Sequence, residues 1–220
     1  MKFIQFVLDP SNDYWGHTVT YLTICAIAIV ASTIIGVALG AAVSRNSLAA
    51  FIAVNLSGLL RAIPIIAILI AGVPLLGLGL KPTIIALIIL GIPPILLNTY
   101  AGIQSISPAT IDAARGMGMT DWQIATKIQA PLVTPVVAAG VRTAAVQVVA
   151  TATLAAFIGA GGYGDYVVDG IMVFNYTELL VGAISVAALA MIVEVLMGWL
   201  QRAVTPAGLR VQENLAAPNV

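Results

Sequence analysis

Few side chains in this 220-residue chain could do chemistry. Arg61, Arg142 and Glu194 lie in or beside long apolar runs. A charge within a bilayer is costly, so it is expected to be paired or to line a wet path. Glu194 paired with Arg142 or Arg61 is one such arrangement, and snorkelling of each group to the interface is the other. Asn98 and Thr99 in one run, and Gln147, Thr151 and Thr153 in another, could line a path for a solute or hydrogen-bond between helices. The single histidine, His17, sits at the end of a run with no cluster beside it, which favours an interfacial role over catalysis or ligation. Cys25 is the lone cysteine, so neither a disulfide nor a thiolate metal site is expected within one chain. Gly159, Gly161 and Gly164 have the form GxGxxG, but they follow an apolar helix rather than a strand. They read as a close turn, not a dinucleotide site. No GxxxxGK[ST] occurs, so the chain cannot cradle ATP in a Walker loop, and nothing here reads as an enzyme.

The surrounding elements are membrane helices. Charged residues make up 8% and hydrophobic residues 60% of the chain, against about 25% charged in globular proteins, which excludes a soluble domain. Apolar runs of about 20 residues or more indicate spanning helices, not the short alternating segments of a barrel. The net charge of zero offers nothing to nucleic acid. The expected fold is an all-α integral membrane bundle of about five transmembrane helices. Residues 1–16 form an extracytoplasmic segment, 17–203 the transmembrane domain, and 204–220 a cytoplasmic tail. Asp9, Pro10, Asn12 and Asp13 interrupt the N-terminal stretch, so no signal peptide is read there.

The spans are expected near 17–43, 61–78, 81–103, 132–158 and 178–200. Gly36 and Gly40 make a GxxxG pair suited to close helix approach. Pro64, Pro74, Pro93 and Pro94 predict kinks. Residues 47–60 read as an interfacial lead-in to the second span; a hairpin over 48–80 would instead give six spans. Arg45, Arg115, Lys127, Arg202 and Arg210 fall on one side, while the other has Lys2 and Lys81 with Asp9, Asp13, Asp165, Asp169 and Glu178. The positive-inside rule then puts the N-terminus outside and the C-terminus in the cytoplasm. Aromatic residues, including Tyr14, Trp15, Tyr21, Tyr163, Tyr166 and Phe174, gather at the outer ends, as an interfacial belt or a docking surface.

One polar segment, 107–131, separates the third and fourth spans on the cytoplasmic side. Ser107 can cap a helix that has Pro108 in its first turn. Gly116 and Gly118 permit a bend. Thr120 and Gln123 have capping-box spacing for a second short helix, which Pro131 is expected to close.

Asp112-Ala113-Ala114, Gly118 after three residues, and Ile128-x-Ala130-Pro131 nine residues later resemble the cytoplasmic signature of permease subunits of bacterial ATP-binding-cassette importers. Asp112 stands for the usual Glu and Ala130 for the usual Leu. Arg61-Ala-Ile-Pro64, Asn98-Thr-Tyr-Ala-Gly-Ile103 and Ala155-Ala-Phe-Ile-Gly-Ala-Gly-Gly-Tyr-Gly-Asp-Tyr166 are similar to permeases for glycine betaine, carnitine and choline. The resemblance covers residues 17–200. It implies a prokaryotic plasma-membrane permease that pairs with a second, identical or related, permease subunit. Two separate ATPase subunits would hold the ATP and Mg, and an extracytoplasmic receptor would capture the solute. It also implies that Asp112, Ala113, Ala114, Gly118, Trp122, Ile128 and Pro131 couple to the ATPase. Another cargo such as methionine, or a channel or secondary transporter without ATPase, are the alternatives. The scarcity of aromatics within the membrane gives no cage for a quaternary ammonium ion, which assigns tight recognition to the receptor.

Overall fold

The structure, a computed structural model, describes residues 2–206. Arg210 and most of the expected tail lie outside these. The short helix α1 (Lys2–Leu8) leads through a 3-10 turn at Pro10–Asn12 into α2 (Tyr14–Val43). Asp9 caps that turn, accepting from the Ser11 amide and hydroxyl, which holds its carboxyl below the ordinary value.

Next come α3 (Ser47–Ala62), α4 (Ile65–Leu76) and α5 (Leu80–Gln104). Asn46 starts α3 by accepting from the Leu48 and Ala49 amides. α3 and α4 meet at 91°. Their break is Ile63, held extended because the following proline disfavours helical backbone before it. With 12 residues, α4 rises only about 18 Å, short of the roughly 30 Å bilayer core. This corrects the expectation of one straight crossing from Arg61 to Leu78: the stretch is a bent helix pair, with Arg61 near the end of its first arm. Four helices are long and apolar enough to cross a membrane, or five with the bent pair counted as one span.

α5 runs as one helix through Pro93 and Pro94, both buried. It sits between α2 and α8 (Ala130–Thr151). Small residues let the three helices close up. Cβ atoms placed on Gly36 and Gly40 would lie 2.8 Å from Ile95 Cβ and 2.6 Å from Thr99 Cβ, so the GxxxG face meets a matching i, i+4 pair on α5. On the other side of α5, Gly140 of α8 packs against Asn98.

α8 tightens into a 3-10 turn, Ala152–Ile158, then a glycine turn enters α9 (Tyr163–Met172) and finally α10 (Tyr176–Val204). Tyr21 is fully buried and donates to the Val149 carbonyl at 2.6 Å, near the end of α8, where carbonyls lose their donors four residues on. Tyr163 donates to Thr18 Oγ1 at 2.9 Å and Tyr166 to the Asn12 carbonyl at 2.6 Å. Tyr14, Tyr21, Tyr163, Tyr166 and Phe6 form linked ring contacts. The outer aromatics therefore divide. Tyr21, Tyr163 and Tyr166 are core, whereas Trp15, Phe157, Phe174 and Tyr176 are exposed. This corrects a single belt or docking surface.

Candidate coupling site

α5 and α8 are joined by a bent polar segment. α6 (Pro108–Gly116) begins with Pro108 in its first turn, where a missing N–H costs little. Ser107 occupies the cap position, but its side chain makes no capping hydrogen bond, contrary to expectation. α6 ends as the Met117 amide bonds the Ala113 carbonyl and the Met119 amide the Ala114 carbonyl. Gly118 has φ +80°, a conformation strained for any residue with a side chain, and it alone of the two glycines makes the bend. Arg115 Nη2 approaches Asp121 Oδ1 at 3.5 Å across it, but both side chains are well exposed, so the pair adds little stability.

α7 (Asp121–Gln123) starts with a reciprocal capping box between Thr120 and Gln123. It does not stop at Pro131. The chain widens into a π-helical turn, Ile124–Gln129, and continues directly as α8. The Ala130 amide reaches back five residues to the Ala125 carbonyl. The wider turn has a physical cause. Pro131 lacks an N–H, and its ring would clash with the carbonyl four residues earlier in an unbroken α-helix. The second arm of the segment is thus the end of the fourth span itself. From Asp121 to Ile158 the chain is one helical run.

Ala114 and Ile124 are buried, and Ile128 is half-buried. Asp112, Ala113, Gly118 and Pro131 are exposed, as are Met117 at 74% and Trp122 at 76%. Of the residues singled out for coupling, Ala114 faces inward and braces the segment. The outer surface is carried by Asp112, Ala113, Gly118, Trp122 and Pro131, with Met117 added. Met117 lies at one of the three unspecified positions before Gly118, so the signature does not single it out, although a methionine beside a glycine bend is a visible cue. Gln104 Nε2 donates to the Ser44 carbonyl at 3.2 Å, tying the end of α5 to the end of α2. Between these ends and the segment lies a polar cavity of about 320 Å³, lined by Ser44, Arg45, Arg115, Asp121 and Gln129 among others. It adjoins a more apolar groove of about 280 Å³ between α2, α5 and α8, bordered by Thr99, Val133 and Val137.

The candidate path residues are not gathered on one face. Asn98 lies against Gly140 and donates to the Pro94 carbonyl at 2.8 Å. Thr99 is buried against Gly40, with its hydroxyl bonded to the Ile95 carbonyl at 2.8 Å. Thr153 bonds the Ala150 carbonyl at 3.0 Å. Gln147 and Thr151 are half-buried on α8.

Arg142 of α8 donates through Nε to Glu194 Oε1 of α10 at 2.9 Å, and through Nη2 to the same oxygen. Arg61 is exposed at the end of α3 and has no ion pair among the described residues. At the opposite end of the bundle, His17 Nδ1 is 3.1 Å from the Gly162 carbonyl and 3.6 Å from Asp165 Oδ2. Burial pushes the Asp165 carboxyl above its ordinary value, with His17 opposing and Asp169 adding. Burial also pushes the Tyr163 hydroxyl up to about 12. The GxGxxG stretch is the turn that brings α9 against α2. α9 itself is missed by the sequence reading, although Tyr163, Tyr166 and Gly170 have the spacing of one helix face. No group of three metal-ligating side chains occurs among the described residues.

Comparison with known proteins bears on this arrangement. A profile for the binding-protein-dependent transport system inner membrane component matches residues 32–207. The glycine betaine/carnitine/choline transport system permease protein OpuCB of Bacillus subtilis is 37% identical over 95% of this chain and 96% of its own. The choline transport system permease protein OpuBB of Bacillus subtilis is 32% identical over 97% and 98% of the two chains. The osmoprotectant import permease protein OsmW of Salmonella typhimurium is 34% identical over 96% and 100%. A chain of the MetNI methionine ABC transporter, solved in an inward-facing conformation, superposes with a TM-score of 0.78 over 88% of this chain and 96% of its own, at 22% identity.

Proposed function

Because the chain belongs to the family of binding-protein-dependent transport system inner membrane components, we propose that it is the permease subunit of an ATP-driven importer for a small osmoprotectant such as glycine betaine, choline or carnitine. The observation that carries this reading is the exposed, capped segment 107–131, set between two spans of a chain that aligns end to end with permeases of such solutes. ATP hydrolysis belongs to a separate subunit, and this chain is not an enzyme.

The geometry supports the following mechanism. Two ATPase subunits, carrying ATP and Mg, would each receive the segment of one permease in a dimer of identical or related permeases. Asp112, Ala113, Met117, Gly118 and Trp122 would form the contact, with Pro131 at its edge and Ile128 and Ala114 bracing it from behind. Closure of the ATPases would displace the segment. α8, continuous with α7, would tilt with it, while α6 would carry the same displacement into α5. The gap between facing permeases would then open outward to a loaded extracytoplasmic receptor. Gln147 and Thr151 on α8 are the best placed of the polar candidates to meet the solute, because neither hydroxyl-to-helix bonding nor full burial occupies them. Arg45, Arg115 and Lys127 share one end of the bundle, and Asp9, Asp13, Asp165 and Asp169 the other. The positive-inside rule supports a prokaryotic plasma membrane with the N-terminus outside and the C-terminus in the cytoplasm.

The test is affinity purification of the permease with its ATPase and receptor, followed by receptor-dependent ATP hydrolysis with glycine betaine, choline, carnitine and methionine in turn. Stimulation by the quaternary amines supports the reading. Stimulation by methionine alone would move the cargo, and failure to recover any ATPase would favour a secondary transporter.

A further inference from the structure

α10 is the least enclosed of the long helices; 17% of its most apolar window is buried. It packs on α9 and on α8, with a smaller contact to α1, so few neighbours hold it in place. The structure supplies a seat. Glu194, Gly198 and Gln201 fall at i, i+4 and i+7, one stripe of α10. Arg142 lies across all three. Its Nε and Nη2 donate to Glu194 Oε1, and its Nη1 reaches Gln201 Oε1 at 3.5 Å. Gly198 lies beneath the guanidinium. A Cβ there would be 3.4 Å from both Cζ and Nη1, at the edge of van der Waals contact, so the guanidinium lies directly over the glycine.

A planar guanidinium presents its donors to the two acceptors in one fixed geometry, whereas an ammonium is a point charge with rotatable donors on a flexible stem. Both side chains are partly exposed, at 38% and 43%, so the latch depends on the geometry of the fork on Glu194 and Gln201 rather than on buried charge. Arg142 stands about 18 Å along α8 from Ala130, and α8 is continuous with the segment that carries Trp122.

We propose that Arg142 is a positioning residue that latches α10 to α8, so that a displacement of the coupling segment carries α10 with α8 as one body. The proposal rests on the importer reading above. It adds a route for the stroke to the last span, which among the described residues makes no substantial contact with α6 or α7. Without the latch, α8 tilts and α10 stays behind. ATP is still hydrolysed, but the pathway opens incompletely.

The experiment uses the whole complex, permease with ATPase and receptor, in proteoliposomes. Arg142→Gln, Glu194→Gln and Arg142→Lys are each read as solute taken up per ATP hydrolysed. A fourth variant, Arg142→Cys with Glu194→Cys in a Cys25→Ser background, is read before and after bridging with a bifunctional thiol reagent. The expected result is a normally assembled complex with ordinary basal hydrolysis and uptake per ATP lowered about fivefold or more. Arg142→Lys is expected to be impaired as well, and bridging to restore uptake per ATP to within about twofold of wild type. Wild-type uptake per ATP in both glutamine variants would overturn the proposal. So would a parallel fall of uptake and hydrolysis, which marks a purely structural pair, or no recovery on bridging. A wild-type complex that recruits no ATPase would instead overturn the importer reading.

Discussion

Thr120 and Gln123 cap each other. The Thr120 amide donates to Gln123 Oε1 at 2.9 Å, and the Gln123 amide reaches Thr120 Oγ1 at 3.4 Å. Two amide donors that a helix start leaves orphaned are thereby satisfied, and the helix begins at once after the Gly118 bend. Thr120→Ala is expected to cost about 1 kcal/mol locally, seen as roughly fivefold faster amide exchange over 121–124. Unchanged exchange would mean that the box does not stiffen this turn.

Gly40 of α2 packs directly on α5, where a Cβ would lie 2.6 Å from Thr99 Cβ. Gly40→Leu must displace Thr99 or part the helices, at about 1–3 kcal/mol or more. The expected outcome is a lower Tm in detergent and reduced accumulation in the membrane. Gly58, with open space around it, is the control: Gly58→Ala should leave Tm unchanged or raise it.

Pro131 is the physical reason for the π-helical turn. Pro131→Ala restores an N–H, and the run 124–129 is expected to relax to an α-helix. Removing one residue's worth of winding rotates Trp122 by about 100° about α8. The variant should be at least as stable as wild type, yet transport poorly. Full uptake with the altered turn confirmed spectroscopically would contradict the proposed registration of Trp122.

Asp165 gives a pH dependence of known sign. Its folded-state carboxyl binds a proton more readily than an ordinary one, mainly because of burial, so ionisation weighs against the fold. That penalty is fully present above the raised value and vanishes below the ordinary value of 3.8. Asp165→Asn is therefore expected to raise Tm at pH 7.5, with the gain shrinking as pH falls towards 4. A gain that grows on acidification would reverse the sign.

The sequence alone showed the bundle, the GxxxG contact and the capping box, because each depends on local chemistry. Gly36 and Gly40 announce a close approach whatever the partner, and Thr120 with Gln123 needs only neighbours three residues apart. The end of the fourth span was misread at Pro131, since a proline looks the same whether a helix stops or widens to pass it. The second span was misread for a related reason: Ile63 before Pro64 marks a break, but composition does not state its angle. Tyr21, Tyr163 and Tyr166 resembled interfacial aromatics, because their acceptors, the Val149 carbonyl among them, are distant in sequence. Arg142 and Glu194 were visible as intramembrane charges, whereas Gly198 and Gln201 gained meaning only once the guanidinium lay across them.

The central claim is that this chain takes its energy from an ATPase seated on the segment 107–131. Receptor-dependent uptake into proteoliposomes by Met117→Ala/Trp122→Ala, beside wild type, tests it most directly. Both side chains are exposed and contribute little to the fold, so the variant should reach the membrane with an unchanged Tm. The account predicts loss of ATPase recovery and of uptake, by about 10-fold or more given the usual weight of exposed aromatic anchors at interfaces. Normal uptake by that variant would contradict it.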